Sequence, residues 1–322
     1  MTVSETSLAL VGDIGGTNAR LALADISDAA PRISHIRFYA SREFPQLNDV
    51  IAAYLRDTGA RPAVAVLAVA GPIENGAVHF TNLGWSIAQA QLVQMGFAQA
   101  RLINDFAALA LATPLLRDDD LYTLGPDVMG QPQKTMAVMG PGTGFGAAAL
   151  VRGMGRETVM ASEGGHASFA PADETEIAVL RFLTKRFGHV SNERILSGPG
   201  LCQLHQALNA IEHHDHAIDD PAAITQLALS GEDRALRTVE RFCAILGSVA
   251  GNLALSYGAE GGVFIAGGIA PTIITILQAS AFRTRFEAKG RFADYLRRIP
   301  TRVILRGDPA FLGAARVARE LV

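Results

Sequence analysis

The stretch "LVGDIGGTNARLALAD", Leu10 to Asp25, sets three glycines, an aspartate and a threonine between two apolar runs. Leu8 to Gly12 reads as a buried strand and Ala19 to Ala24 as its return, so the glycines form the turn of a hairpin. The loop is not a P-loop, because no Gly-Lys-Ser/Thr follows Gly16. It is not a dinucleotide fingerprint either, because a strand and not a helix comes next. A glycine hairpin still wraps phosphate with its backbone N–H groups, and Thr17 adds a hydroxyl. Asp13 stands where a P-loop places a lysine. An acid there suits Mg2+, bound directly or through water, since magnesium takes one or two carboxylates together with substrate phosphates. It equally suits a plain turn-forming aspartate, and the loop alone does not separate the two.

The pattern extends outward from that hairpin. Arg37 to Ala40 reads as a third strand, Pro45 to Gly59 as a helix, and "AVAVLAVAG", Ala63 to Gly71, as a strand buried on both faces. Ser86 to Gly96 reads as a helix with Ser86 as N-cap and Gly96 as its stop. "ARLIND" is a short strand, followed by a helix that Pro114 closes. Arg117 to Thr135, with a charge run and two prolines, reads as a connection or hinge. Then the opening pattern returns: "MAVMGPGTGFGAAALV", Met136 to Val151, is again apolar run, Gly/Thr turn, apolar run. Each half thus begins with a glycine hairpin, as a duplicated domain would. Helices are expected at Glu174–Phe187, Gly200–Ala210, Ala222–Leu229, Arg234–Ser256 and Pro309–Leu321. Gly261 to Ala270 reads as a strand turning into a helix, and "TRVILRG" as a last strand. Strands alternating with helices make an α/β protein.

Bulk properties narrow the function classes. With 322 residues, 49% of them hydrophobic, two domains are expected. A net charge of −3 with no sustained basic stretch points away from nucleic acid and anionic membrane. The longest apolar run is too short to span a bilayer. The only cysteines, Cys202 and Cys243, form no CxxC pair, which fits a reducing compartment and no structural zinc. The first residues lack the basic start of a signal peptide. A cytoplasmic protein is the expectation.

Four further stretches carry chemistry. "GPGTGFG", Gly140 to Gly146, is a second glycine loop. It also fits G-x-G-x-x-[GA] through Gly142, Gly144 and Ala147, with Glu163 near the spacing of a ribose acid, so a nicotinamide dehydrogenase stays open on this motif. "LINDFAALALA" puts Asn104 and Asp105 at a strand end leading into a helix, where α/β sheets bind ligands. A carboxylate there serves as general base or as a simple N-cap. "EGGHASFAP" sets Glu163 and His166 around two glycines, and "SNERILSGPGL" offers Glu193 beside another glycine turn. Carboxylates and imidazole hydrogen-bond polyols, though each also has an ordinary structural use. "EHHDH", Glu212 to His216, reads as a solvated run with nothing nearby to complete a metal site.

Together, in this order, "GDIGGTNARLAL", "AVAGPIENGAVHFTNLGW", "LINDFAALA", "GPGTGFGAAAL", "EGGHASFAP", "ERILSGPGL" and "VFIAGGIAP" resemble the bacterial glucokinases of the hexokinase–actin superfamily. The resemblance covers nearly the whole chain and belongs to the zinc-free branch, because the cysteine-rich zinc motif of the repressor/kinase relatives is missing. It implies two ribonuclease-H-like (actin-like ATPase) domains flanking an active-site cleft. Residues 1–112 with 309–322 make the smaller domain and residues 113–308 the larger. It implies a homodimer that uses ATP and Mg2+ to phosphorylate the 6-hydroxyl of glucose. Position by position, Asp105 matches the catalytic base, and Asn104, Glu163, His166 and Glu193 match sugar-binding groups. Gly12, Asp13, Ile14, Gly15, Gly16 and Thr17 match the first phosphate loop, with Asp13 at the magnesium, through water. Gly142, Thr143 and Gly144 match the second loop, and Gly267 and Gly268 lie beside the adenosine. Phe145 departs from the pattern, where a smaller aliphatic residue is expected. A catalytically silent sugar sensor, or a kinase for another hexose or phosphate donor, shares most of these residues.

Overall fold

The computed structural model describes residues 7–80, 84–153, 155–214 and 218–322. Thr81, Asn82 and Leu83 of the second motif, and Asp215 and His216 of the histidine-rich run, lie outside them. The chain divides into two compact units, Met1–Arg117 with Arg306–Val322, and Asp118–Leu305.

The first unit runs β1 (Leu8–Ile14), β2 (Asn18–Asp25), β3 (Arg32–Ala40), α1 (Leu47–Thr58), β4 (Val64–Val69), β5 (Ala77–Phe80), β6 (Trp85–Ala88), α2 (Gln89–Gln94), β7 (Gln99–Asn104) and α3 (Asp105–Ala112). Its sheet has the order β3-β2-β1-β4-β7, an antiparallel meander continued by two parallel strands. The apolar run of β4 is buried along its whole length, as expected of a strand with a layer on each side. One layer gathers Leu10, Leu21 and Leu67 with Leu47, Ile51 and Tyr54 of α1. The other packs Val11, Ala22 and Val66 against Phe311, Ala314 and Ala318.

One expectation fails here. Ser86 caps no helix; it lies in β6, paired with His79 of β5. Trp85 and Ile87 are buried on alternate positions, and the period of two wins over the helical reading. The helix starts at Gln89, where the Gln91 side chain accepts the Ala88 N–H at 2.8 Å.

The second unit runs β8 (Leu121–Leu124), β9 (Met136–Pro141), β10 (Phe145–Gly153), β11 (Arg156–Ser162), α4 (Glu174–Phe187), α5 (Gly198–Ile211), α6 (Pro221–Leu229), α7 (Asp233–Tyr257), β12 (Gly262–Ile265), α8 (Ile269–Thr272), α9 (Ile274–Ala279), α10 (Phe282–Glu287), α11 (Ala293–Arg297) and β13 (Thr301–Ile304). The last helix of the chain, α12 (Pro309–Glu320), returns to the first unit. The second sheet has the order β11-β10-β9-β12-β13-β8. Its first five strands repeat the pattern of the first sheet: three antiparallel, then two parallel. The sixth corrects the reading of Arg117 to Thr135 as mere connection. Leu121–Leu124 pairs antiparallel with β13, and the Thr301 hydroxyl donates to Leu124 O at 2.7 Å. Four residues without clear alternation, behind a run of three aspartates, gave no strand signal.

Helix α7 runs through this core. A Cβ on its Gly247 would lie 2.1 Å from Phe282 O, and one on Gly251 2.5 Å from Phe286 O, so small residues let α10 lie against it. Glu176 of α4 is fully buried and held by Arg241 of α7 at 3.2 Å and Arg285 of α10 at 2.9 Å. A buried carboxylate persists only with such partners. Cys202 and Cys243 are both buried and free. Burial pushes the Cys243 thiol up to about 12 and raises that of Cys202, so neither is a thiolate nucleophile at neutral pH.

Candidate active site

In the first unit the parallel strands end level with one another. Ile14 of β1 pairs with Val69 of β4, and Val69 with Asn104 of β7. The first glycine turn and the Asn104–Asp105 pair therefore share the carboxyl edge of one sheet, two strand spacings or roughly 10 Å apart. This is the edge at which α/β sheets bind ligands.

The residues of the first loop serve different ends. A Cβ on Gly12 would lie 2.6 Å from Leu67 Cδ2 and 3.0 Å from Leu21 Cδ2, so the core demands that glycine. Ile14 is fully buried. The Gly15 N–H donates to Asn18 O at 3.0 Å, closing the turn. Gly16 and Thr17 are exposed, and a Cβ on Gly16 would meet nothing within 4 Å. Open space above Gly16 suits a ligand coming close to the backbone.

Asp13 has a partner the sequence reading missed. Arg20 stands opposite it in the β1–β2 register, and its guanidinium bonds Asp13 Oδ2. The same guanidinium donates to Gly307 O at 3.0 Å, just before α12. Counting outward from the turn pairs Ile14 with Ala19 and Asp13 with Arg20, so the signal was there to be found. The pair also tests the metal assignment. One carboxylate oxygen is engaged by a cation, which disfavours direct coordination; the carboxylate fits a water of the hydrated ion. Among the described residues no group of three or more His, Cys, Asp or Glu forms a metal cage.

Asn104 and Asp105 are half-buried at the start of α3. Asn104 is the true N-cap: its Oδ1 accepts the Ala107 N–H at 3.1 Å. Asp105 is the first helical residue, and its Oδ1 accepts the Phe106 N–H at 2.9 Å. The helix is braced from behind, because a Cβ on Gly313 of α12 would fall 1.8 Å from Ala108 O.

In the second unit three segments interlock around the second glycine loop. The Gly142 N–H donates to Gly144 O at 2.8 Å, and Gly142 O accepts the Gly198 N–H of α5 at 2.8 Å. The next residues, Phe145–Gly153, form a strand, so the dehydrogenase reading of Gly142, Gly144 and Ala147 fails for want of a helix. Glu193 reaches this loop: its Oε2 accepts the Phe145 N–H at 2.8 Å. The Glu193 N–H donates to Gly165 O at 2.9 Å and the Asn192 N–H to Ala167 O at 2.9 Å, tying in the Glu163–His166 turn. A Cβ on Gly165 would strike Phe145 O at 1.9 Å, so that turn packs directly on the loop. Glu163 and His166 project from it, well exposed, with Oε2 and Nε2 3.9 Å apart. Ser162, just before, donates to Ala147 O at 2.9 Å and shares a 2.7 Å bond with the Tyr257 hydroxyl at the end of α7. Neither Tyr257 nor Asn192 carries a sequence signal. On the far side, Gly267 at φ 84° lies against the loop, and a Cβ there would meet Pro141 O at 2.2 Å. Gly268 is exposed and opens α8. Glu163, His166, Glu193, Gly142–Gly144 and Gly267 thus gather in one place in the second unit. Asp13, Thr17, Asn104 and Asp105 share one sheet edge in the first.

The chain matches a family model described as Glucokinase over residues 10–321. It is 52% identical over 317 residues to a glucokinase of Caulobacter sp. (strain K31), covering 97% of this chain and 95% of that protein. A crystal structure of a glucokinase from an Antarctic psychrotroph has a TM-score of 0.90 and 40% identity, covering 98% of this chain and 99% of that one. A ROK family glucokinase from Streptomyces griseus, solved in complex with glucose and AMPPNP, shares the mixed α/β fold at 19% identity, with a TM-score of 0.65 and coverage of 97% and 99%.

Proposed function

Since the chain belongs to the glucokinase family and catalyses ATP-dependent phosphorylation of glucose, we propose that Asp105 is the general base that receives the proton of the sugar's 6-hydroxyl. The observation that carries this is its place: the first residue of a braced helix, level with the first glycine turn at the carboxyl edge of the sheet. In the step, O6 bonds to the γ-phosphorus, the bond from the γ-phosphorus to the β–γ bridging oxygen breaks, the hydroxyl proton passes to Asp105, and ADP leaves. The product is glucose 6-phosphate, which feeds glycolysis.

Asn104, Glu163, His166 and Glu193 are assigned to the sugar hydroxyls. Planar acceptors and donors suit that task, and a sugar lacking a hydroxyl would leave one of them unpaired once the bound sugar covers it. The amides around Gly15–Thr17 and Gly142–Gly144 are assigned to the phosphates, and Gly267 and Gly268 to the neighbourhood of the adenosine. Bound magnesium would neutralise phosphate charge during transfer, and Asp13 would hold it through a water. Each unit is read as ribonuclease-H-like, supported by the repeated order of three antiparallel and two parallel strands. The family resemblance supports a homodimer of the cytoplasm, with no nucleic-acid or membrane partner; no described helix is long and apolar enough to cross a membrane.

Asp105→Asn tests the base. The amide keeps the shape and accepts hydrogen bonds but takes no proton. The expected result is a kcat about 10²–10⁴-fold lower, with glucose binding by calorimetry near wild type. Turnover close to wild type removes the role.

A further inference from the structure

Gly144 belongs to the loop assigned to nucleotide phosphate, yet what surrounds it is on the sugar side. Its backbone is outside the left-handed region, so conformation does not require glycine there. A Cβ built on it would lie 2.5 Å from Glu193 Oε2 and 3.4 Å from the carboxyl carbon, and beyond its own chain neighbours would meet no other described atom within 4 Å. One Cβ points one way, and this one points into the Glu193 carboxylate. The same Oε2 accepts the N–H of the next residue, Phe145, at 2.8 Å. Glu193 is fixed at its backbone, so its carboxylate can retreat only by turning off the Phe145 N–H. Its own N–H is bonded to Gly165 O at 2.9 Å and its carbonyl accepts the Ser197 hydroxyl at 2.8 Å.

We propose that Gly144 and the Phe145 N–H are positioning groups of the sugar site: the bare Cα leaves the room, and the amide fixes the oxygen, that set the Glu193 carboxylate for glucose. The second glycine loop then determines affinity for the sugar as well as receiving the nucleotide. This rests on the reading that Glu193 binds glucose, and the experiment separates the two.

Steady-state KM values for glucose and for ATP are measured on Glu193→Gln, Gly144→Ala, Glu193→Asp and the double variant Gly144→Ala/Glu193→Asp, with melting temperatures alongside. A glucose KM unchanged in Glu193→Gln overturns the underlying reading. If that KM rises, Gly144→Ala is expected to raise the glucose KM about tenfold, the loss of one hydrogen bond to a charged group, and the ATP KM less than twofold. The double variant is expected to be no worse than Glu193→Asp, because the shorter acid vacates the space the methyl takes. An ATP KM that rises as much as the glucose KM, a glucose KM that does not move, or penalties that add in the double variant each overturn the proposal. So does a Gly144→Ala chain that fails to fold with or without Glu193→Asp, which would assign the glycine to loop packing.

Discussion

Arg20 changes what Asp13 is worth. A carboxylate beside a guanidinium attracts a second cation less than a free one, and an occupied oxygen leaves only the other to face a metal-bound water. The two side chains should therefore move magnesium dependence in opposite directions. At saturating ATP, Asp13→Asn is expected to raise the free Mg2+ needed for half-maximal rate. Arg20→Met, which keeps the apolar stem and frees the acid, is expected to lower it. Titrating rate against free Mg2+ checks both; shifts in the same direction would separate Asp13 from the metal. At this scale the sequence was informative wherever glycines, a carboxylate and an apolar run sat within a dozen residues, because hairpin geometry converts spacing into proximity. It was silent on the bond between Glu193 and Phe145, which are 48 residues apart, since only the finished fold closes that distance. It also gave no sign of the packing task of Gly12, because Leu67 and Leu21, which fill the space its side chain would need, come from other strands.

Among elements, the contact between α3 and α12 bears most directly on the chemistry. Helices approach this closely only where a side chain is missing, and Gly313 against Ala108 O is such a place. Gly313→Ala is expected to force the helices apart, costing about 1–3 kcal/mol of stability and displacing Asp105 at the head of α3. Melting followed by Trp85 fluorescence reads the first effect and kcat the second. An unchanged melting temperature with wild-type kcat would show that the helices yield without consequence. Long elements with one clear period were legible: Glu174–Phe187 falls where its apolar spacing puts it, and β4 declares itself as an unbroken apolar run. Short elements were not. In Trp85–Ala88 a polar-capped helix pattern overlapped a four-residue alternation, and pairing with β5 decided between them. β8 is specified by the strand it borders, which its own residues do not encode.

In the whole molecule, the recurrence of the glycine hairpin announced two similar sheets, and they share one strand order. The sixth strand and the helices between Ile274 and Arg297 have no counterpart in that recurrence and were not foreseen. The single tryptophan, Trp85, is buried in the first unit with its indole N–H on Phe44 O at 3.1 Å, so its emission follows that unit's unfolding. Phe311 is almost fully buried in the layer that α12 lays on the first sheet. Phe311→Ala is expected to cost about 3–5 kcal/mol and to lower the Trp85 transition. No change in that transition would mean the helix is dispensable to the sheet. That layer also has a consequence in time. The ribosome delivers the amino end first, and β1, β4 and β7 are in place long before the residues that cover their second face. Until α12 has been made, the nascent first sheet holds an uncovered apolar surface, and a chain cut short before Pro309 keeps it. The first unit therefore closes only when α12, made after the whole of the second unit, comes back to cover that face.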